Sequence, residues 1–339
     1  MKIGIIGCGL IGKKRANALV GHQLVACADS SLDRAKQLAQ QYFSSGCLVR
    51  GTHPTTATNH WQDVLKQPEI DLVIVATPHN CLAEMTLAAL SAGKHVLVEK
   101  PAARFATELE PVITATRQSD CLVRVGFNHR YHRAFRQART IVDRGELGEL
   151  MWLRARYGHG GRLGYDQEWR AQPEISGGGE LIDQGVHLID LARWFLGDFT
   201  EIQGFAHTYF WQMPVDDNAF LLLKTAQQQV AWLHASCTEW KNLFSFELYG
   251  KRGKLHIEGL GGSYGVERLS CYKMLPEMGP PETTIWEYPR GDDSWEVEFK
   301  EFVEDIELKR QPSANIEDAY AALNIVAKIY SESGYDYRL

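Results

Sequence analysis

Lys2-Ile3-Gly4-Ile5-Ile6-Gly7-Cys8-Gly9-Leu10-Ile11-Gly12 joins an apolar strand to a helical pattern over residues 11–20. The G-x-G-x-x-G spacing lies between strand and helix, the context in which it binds a dinucleotide. Gly7 permits the tight turn, Gly9 lets a pyrophosphate approach the backbone, and Gly12 lets helix and strand pack closely. Together with Cys8, Leu10 and Ile11 they make the predicted phosphate cradle. There the helix N-terminus offers free N–H groups and the positive end of its dipole. A second strand, residues 24–28, ends at Asp29, the offset of a ribose-binding carboxylate. Asp29 would accept hydrogen bonds from the ribose hydroxyls and repel a 2′-phosphate. Ser30 and Ser31 follow with no adjacent arginine to hold that phosphate, so NAD is expected over NADP. Asp29 equally suits the N-cap of a helix over residues 32–42.

Strand and helix then alternate, as a parallel sheet requires. A strand over residues 70–76 ends at Thr77-Pro78-His79-Asn80, and a helix over 82–92 stops at Gly93. Another strand, 95–98, ends at Glu99-Lys100-Pro101, and a helix over 106–117 precedes a strand over 122–126. In such folds ligands gather beyond the carboxyl ends of the strands. The glycine turn, Asp29, Thr77 to Asn80, Glu99 to Pro101 and Asn128 all fall there. Residues 43–60 are less regular, and no strand is placed in them. Lys100 reads either as a solvated lysine or as a group that orients a substrate hydroxyl. Pro101 favours extended geometry at Lys100 and so a defined direction for its side chain.

A chain of 339 residues argues for two domains. With 45% hydrophobic and 23% charged residues, the composition is ordinary for a globular protein. A formal net charge of -6 does not suggest a nucleic-acid or anionic-membrane partner. Seven cysteines without a C-x-x-C pair fit reduced thiols. No run has the length of a membrane span, and Lys13-Lys14-Arg15 follow the first apolar run, the wrong order for an export signal. A cytoplasmic protein is expected. His129, His132, His159 and His187 lack metal-ligand spacing, so no metal is expected.

The second informative stretch is Gly177-Gly178-Gly179-Glu180-Leu181-Ile182-Asp183-Gln184-Gly185-Val186-His187-Leu188-Ile189-Asp190. A helix would stack Asp183 and His187 on one face, with Asp190 a third polar group on that side. The pair reads either as a capped helix with one hydrogen-bonded histidine or as a proton-transfer pair. Around it, a helix over residues 133–144 and strands over 151–157, 201–211, 218–224, 229–237, 245–249 and 254–258 suggest an antiparallel sheet with one covered face. Lys251-Arg252-Gly253 reads as a hairpin turn. Arg154, Arg156, His159 and Arg162 cluster near one strand end; they suit a phosphate ligand or a solvated basic edge. Eight of the nine tryptophans follow residue 150. Trp169 and Trp240 are the favoured ligand contacts among them; the rest read as sheet or interface fillers. Trp295, Phe299, Phe302 and Ile306 mark one late helix, capped by Ser294. Asn315 caps another that carries Ala319, Leu323, Val326 and Ile329.

Gly7 to Gly12, Glu99-Lys100-Pro101 and Gly177 to Asp190 together resemble the glucose–fructose oxidoreductase, inositol dehydrogenase and rhizopine-catabolism (Gfo/Idh/MocA) family over essentially the whole chain. The resemblance implies an α/β protein: an N-terminal Rossmann domain with a doubly wound parallel sheet, then a C-terminal α+β domain with a large, mostly antiparallel open sheet. The expected divisions are residues 1–122 for NAD, 123–314 for substrate and oligomerisation, and 315–339 as a helix returning to the Rossmann domain. Lys100, Asp183 and His187 match the family's active-site lysine, aspartate and histidine. Trp169, Arg170 and Asn128 resemble residues bordering the cofactor. The activity implied is NAD-dependent oxidation of a secondary sugar hydroxyl. His187 or Lys100 would be the base, and Lys100, Arg156, Trp169, Asp183, His187 and Trp240 would hold the substrate. The stretches around Val215–Phe220, Thr238–Asn242 and Gly261–Gly265 resemble members of nucleotide-sugar and surface-polysaccharide pathways. They favour the 3-hydroxyl of a nucleotide sugar such as UDP-N-acetylglucosamine. The alternatives are a free-sugar or inositol dehydrogenase, an NAD-dependent glycosidase and a non-catalytic cofactor-binding regulator. A homodimer or homotetramer is expected by analogy.

Overall fold

The structure, a computed structural model, describes residues 1–44 and 55–335. Of the segment 43–60, left without a strand above, residues 43–44 and 55–60 are described, and Cys47 lies outside the described residues. The chain divides into two compact units: Met1–Phe127 with Trp295–Ala321, and Asn128–Ser294 with Ala322–Leu339.

The first unit is built on strands β1 (Lys2–Ile6), β2 (Gln23–Ala28), β3 (Thr56–Thr58), β4 (Leu72–Val75), β5 (His95–Glu99) and β6 (Val123–Gly126). They form one parallel sheet in the order β3-β2-β1-β4-β5-β6. The order reverses at β1, which places the glycine turn at the switch point where such sheets bind ligands. Helices α1 (Leu10–Asn17), α2 (Leu32–Ser44), α3 (Gln62–Leu65), α4 (His79–Ser91) and α5 (Ala106–Arg117) connect the strands. Leu72, Val73, Ile74 and Val75 are all fully buried, as expected of a strand covered on both faces.

The second unit carries α6 (Arg133–Asp143), α7 (Pro173–Ser176) and α8 (Val186–Leu196), and α9 (Ser294–Leu308) and α10 (Ile316–Glu332) close the chain. The apolar face of α9 was expected within the substrate half. Instead Phe299, Phe302 and Val303 join Ile3, Ile5, Leu24 and Leu72 in one core cluster of the first unit. The chain thus joins the first unit at Trp295, well before residue 315, and leaves it again after Ala321, so most of the helix expected to return to the Rossmann domain belongs to the second unit. Asn315 accepts the Asp318 N–H at 3.0 Å and caps α10 as its sequence suggests.

The second unit holds β7 (Leu150–Gly158), β8 (Phe199–His207), β9 (Asn218–Thr225), β10 (Val230–Ser236), β11 (Leu243–Gly250), β12 (Gly253–Glu258), β13 (Glu267–Lys273) and β14 (Glu282–Tyr288). Their order is β14-β13-β12-β11-β7-β10-β9-β8, antiparallel throughout except for the parallel pair β7 and β10. β13 and β14 were not foreseen. β8 stops at His207 rather than running to residue 211. The buried Asp217 carboxylate takes the backbone N–H groups of Tyr209, Phe210 and Trp211 and draws the chain out of the sheet. Alternation sorts the sheet into two faces. Leu153, Ala155, Leu221, Leu233, Phe246 and Leu248 form a buried face against α6 and α8. Trp152, Phe205, Leu222 and Trp232 are exposed on the other. Among the described residues no helix is long and apolar enough to cross a membrane.

Candidate active site

In the first unit the glycines divide the labour in a way their spacing suggests. Gly7 has φ 96°, and a Cβ there would come 2.3 Å from the Ala76 carbonyl oxygen. A Cβ on Gly12 would fall 1.9 Å from the Gly7 carbonyl oxygen, so only glycine permits this turn. A Cβ on Gly9 would meet nothing within 4 Å, so the space before the α1 N-terminus is open. Asp29 lies across from it. Its Oδ2 accepts the Cys8 N–H at 2.9 Å, and its Oδ1 accepts the Ser31 N–H at 2.8 Å. Arg34, on the first turn of α2, donates its Nε to the same Oδ1 at 2.9 Å. Burial pushes the Asp29 carboxyl up, but hydrogen bonds from Arg34, Ser31 and Cys8 outweigh it and hold the group below its ordinary value.

Thr77 adjoins Gly7, since a Gly7 Cβ would also come 3.0 Å from the Thr77 nitrogen. The Thr77 Oγ1 is buried and has no hydrogen-bond partner among the described residues. Open space at Gly9 and a waiting hydroxyl at Thr77 fit a dinucleotide laid over the turn. Pro78 precedes α4, His79 is buried and Asn80 is exposed. Glu99 closes β5, and its carboxylate is taken by Arg15 at 2.6 Å. It therefore anchors the strand end rather than facing a ligand with both oxygens free. Lys100 follows at the turn, half-buried, with a cis bond to Pro101.

The second unit carries Asp183 and His187. The expected regular helix does not form there: Leu181–Gly185 is a π-helical turn, and α8 begins at Val186. Such turns widen a helix at functional positions and change which side chains align. The Asp183 Oδ2 accepts Arg170 Nε at 2.9 Å, and the Arg170 guanidinium lies 4.5 Å over the Trp169 ring. The Asp183 charge, against burial, holds Arg170 above its ordinary value. The His187 ring stacks on His129 with centroids 3.8 Å apart, and His129 Nδ1 lies 3.1 Å from Asn128 Oδ1. Asn128 also donates to the Ser294 Oγ at 3.0 Å. Asp190 is buried and paired with Arg130 at 2.5 Å, so it braces α8 and does not serve as a third reacting group.

Several neighbours of this group carry no local signal. Tyr157 packs 5.3 Å from His129 and 5.3 Å from Tyr264, and burial raises its phenol well above its ordinary value. The Tyr165 hydroxyl donates to the buried Glu180 at 3.4 Å, and His159 Nε2 lies 3.6 Å from the same carboxylate. Asp216 accepts the N–H groups of Gly179 and Leu181 at 2.9 and 2.8 Å and the Tyr330 hydroxyl at 2.7 Å. It thereby fixes the start of the turn that carries Asp183. Burial pushes the Asp216 carboxyl from 3.8 up to about 6, against those hydrogen bonds. A carboxyl raised by folding adds stability that is full below its unfolded value and lost as pH rises through the folded one. Relative to Asp216→Asn, which does not titrate, the wild type is expected to lose stability as pH rises toward about 6. Urea midpoints of the two proteins measure this, and a difference that stays flat from acid to neutral pH would contradict it.

Of the two readings of Arg154, Arg156 and Arg162, a phosphate site or a solvated basic edge, the geometry favours the second. Arg154 is held by Glu247 at 2.7 Å and Arg162 by Glu168 at 2.8 Å. Arg156 alternates with Tyr157 along β7 and so lies on the opposite face of the sheet from the His129–His187 stack. Trp240 is 77% exposed, on a turn where it meets Phe210 edge-on at 5.1 Å. Among the described residues no group of histidine, cysteine or acidic side chains is placed to hold a metal.

Comparison with known proteins settles the family. Residues 1–127 match the oxidoreductase family with an NAD-binding Rossmann fold, and residues 135–256 match the GFO/IDH/MocA C-terminal domain. The chain belongs to the GFO/IDH/MocA family. As a member of that family it is an NAD-dependent oxidoreductase. It is 25% identical to levoglucosan dehydrogenase of Pseudarthrobacter phenanthrenivorans over 283 residues, 75% of this chain and 73% of that protein. A solved levoglucosan dehydrogenase in complex with NADH and levoglucosan shares the fold, with a TM-score of 0.87 at 21% identity over 98% of each chain. Inositol 2-dehydrogenase of Salmonella typhimurium is 27% identical over 203 residues, 58% of this chain and only 55% of that protein. A dTDP-3,4-didehydro-2,6-dideoxy-alpha-D-glucose 3-reductase of Saccharopolyspora spinosa is 27% identical over 264 residues, 76% of this chain and 74% of that protein.

Proposed function

We propose that this GFO/IDH/MocA protein oxidises a secondary hydroxyl of a sugar or polyol, with Lys100, Asp183 and His187 handling that hydroxyl. The observation that carries the reading is the π-helical turn, which holds an arginine-braced carboxylate close before a buried, stacked imidazole. NAD, held by the glycine turn, Asp29, Ser30 and Thr77 to Asn80, supplies the acceptor for the carbinol hydride when bound. His187 accepts the hydroxyl proton. Asp183, fixed by Arg170, orients the hydroxyl, and Lys100 stabilises the developing alkoxide. The stack on His129 limits rotation of the His187 ring, so the base needs little reorganisation.

A neutral sugar is the first reading of the substrate. The arginines that a diphosphate would need are each occupied by a carboxylate or turned to the other sheet face. The second reading is a nucleotide sugar oxidised at its 3-hydroxyl, such as UDP-N-acetylglucosamine. The dTDP-sugar reductase among the relatives favours it. UDP separates the two: under the first reading it leaves the melting temperature unchanged, and a clear rise with UDP alone supports the second. The exposed face carrying Trp152, Phe205, Leu222 and Trp232 supports self-association as a homodimer or homotetramer, which light scattering tests.

A further inference from the structure

We propose that Arg34 lets the adenosine end of this pocket accept a 2′-phosphate, so that NADP binds beside NAD. The inference begins with how Asp29 is used. A carboxylate offers about four lone-pair sites on two oxygens. Oδ1 already receives the Ser31 N–H at 2.8 Å, Arg34 Nε at 2.9 Å and Arg34 Nη2 at 2.8 Å. Oδ2 receives the Cys8 N–H at 2.9 Å. A ribose therefore finds acceptor room on Oδ2 alone, and the usual two-oxygen grip on the 2′- and 3′-hydroxyls is not available.

Charge matters more. A lone carboxylate at the end of β2 rejects NADP because it repels the 2′-phosphate. Here the guanidinium lies against that carboxylate, so an arriving phosphate meets a neutralised pair. It also meets a planar fork of N–H donors whose geometry matches phosphate oxygens. The fork can turn. The Arg34 side chain is 54% exposed while that of Asp29 is 8% exposed, and a pair with one solvated partner holds its cation weakly. The hydroxyl of Ser30, 3.5 Å from Asp29 Oδ1, lies on the same turn and adds a donor. Nothing in the immediate sequence after Asp29 announces this. The arginine reaches back from the first turn of α2.

Adenosine 2′,5′-bisphosphate and 5′-AMP isolate this end of the cofactor, and calorimetric titration of the full chain reads their binding without any turnover. The wild type is expected to bind the bisphosphate within about tenfold of 5′-AMP. Arg34→Ala is expected to weaken the bisphosphate by about tenfold or more and to leave 5′-AMP within about threefold. Arg34→Lys, which keeps the charge and loses the fork, should fall between them. NADP and NAD should follow the same order. A wild type in which the bisphosphate is weaker by more than about tenfold, or an Arg34→Ala protein with an unchanged ratio, overturns the proposal. Because 5′-AMP reports the nucleotide pocket itself, loss of that ligand would count against the pocket and not against Arg34.

Discussion

His187→Ala is expected to lower turnover by about two or more orders of magnitude while cofactor affinity is nearly kept. The imidazole is buried and stacked on His129, so its removal takes away a proton acceptor that is already held in orientation. The glycine turn and Asp29, which the account gives to the cofactor, belong to the first unit and His187 to the second. Lys100→Ala should produce a loss of similar size through a different cause, an alkoxide left without its cation. Steady-state kinetics beside NAD titration separates the two quantities. Turnover near the wild-type value in both variants would remove these residues from the chemistry. A parallel loss of NAD affinity in His187→Ala would give the histidine a binding role instead.

Arg15→Met is expected to destabilise the fold by about 3–5 kcal/mol. Arg15 is fully buried on α1 and is paired with both Glu99 and Glu298. Its guanidinium also lies 4.4 Å over the Trp295 ring. Removing the cation leaves two carboxylates in the interior, and the cost falls on their desolvation more than on the lost attraction. The double variant Arg15→Met with Glu298→Gln should recover part of the loss, because one of the stranded charges is then gone. Urea unfolding measures both proteins. A single variant as stable as the wild type would show that solvent reaches this network. The site depends on the same network, for Glu99 immediately precedes Lys100, and Arg15 ties that strand end to the helix that follows the glycine turn.

How much of this was legible in the chain depended on the range of the contacts involved. The turn from Gly7 to Gly12 is local, and each glycine there has a steric reason that its spacing discloses. The alternation in β7 and β9 to β12 comes from one covered face and reads directly. β14 escaped because its residues Glu282 to Ile285 are all exposed, so the edge strand has no apolar period; only its β-branched Thr283, Thr284 and Ile285 signalled it. The π-helical turn left no mark, since an i→i+5 hydrogen bond needs no particular residue. The His129–His187 stack joins residues on separate elements, and Asp216 reaches back to Gly179 from a different strand connection. Arg34 is hidden for a simpler reason: it stands five residues beyond Asp29, on a helical turn that folds back over the carboxylate, and not beside it in sequence. The apolar face of α9 was recognised, but its partner was not, because amphipathicity shows that a helix packs and not against what.

The most direct measurement is NADH formation, followed by the absorbance of reduced nicotinamide, over a panel of neutral sugars, polyols and nucleotide sugars, with NAD binding measured on the same preparation. The account predicts NADH from at least one of these substrates, lost in His187→Ala. A protein that binds NAD and reduces none of it with any of them would contradict the account.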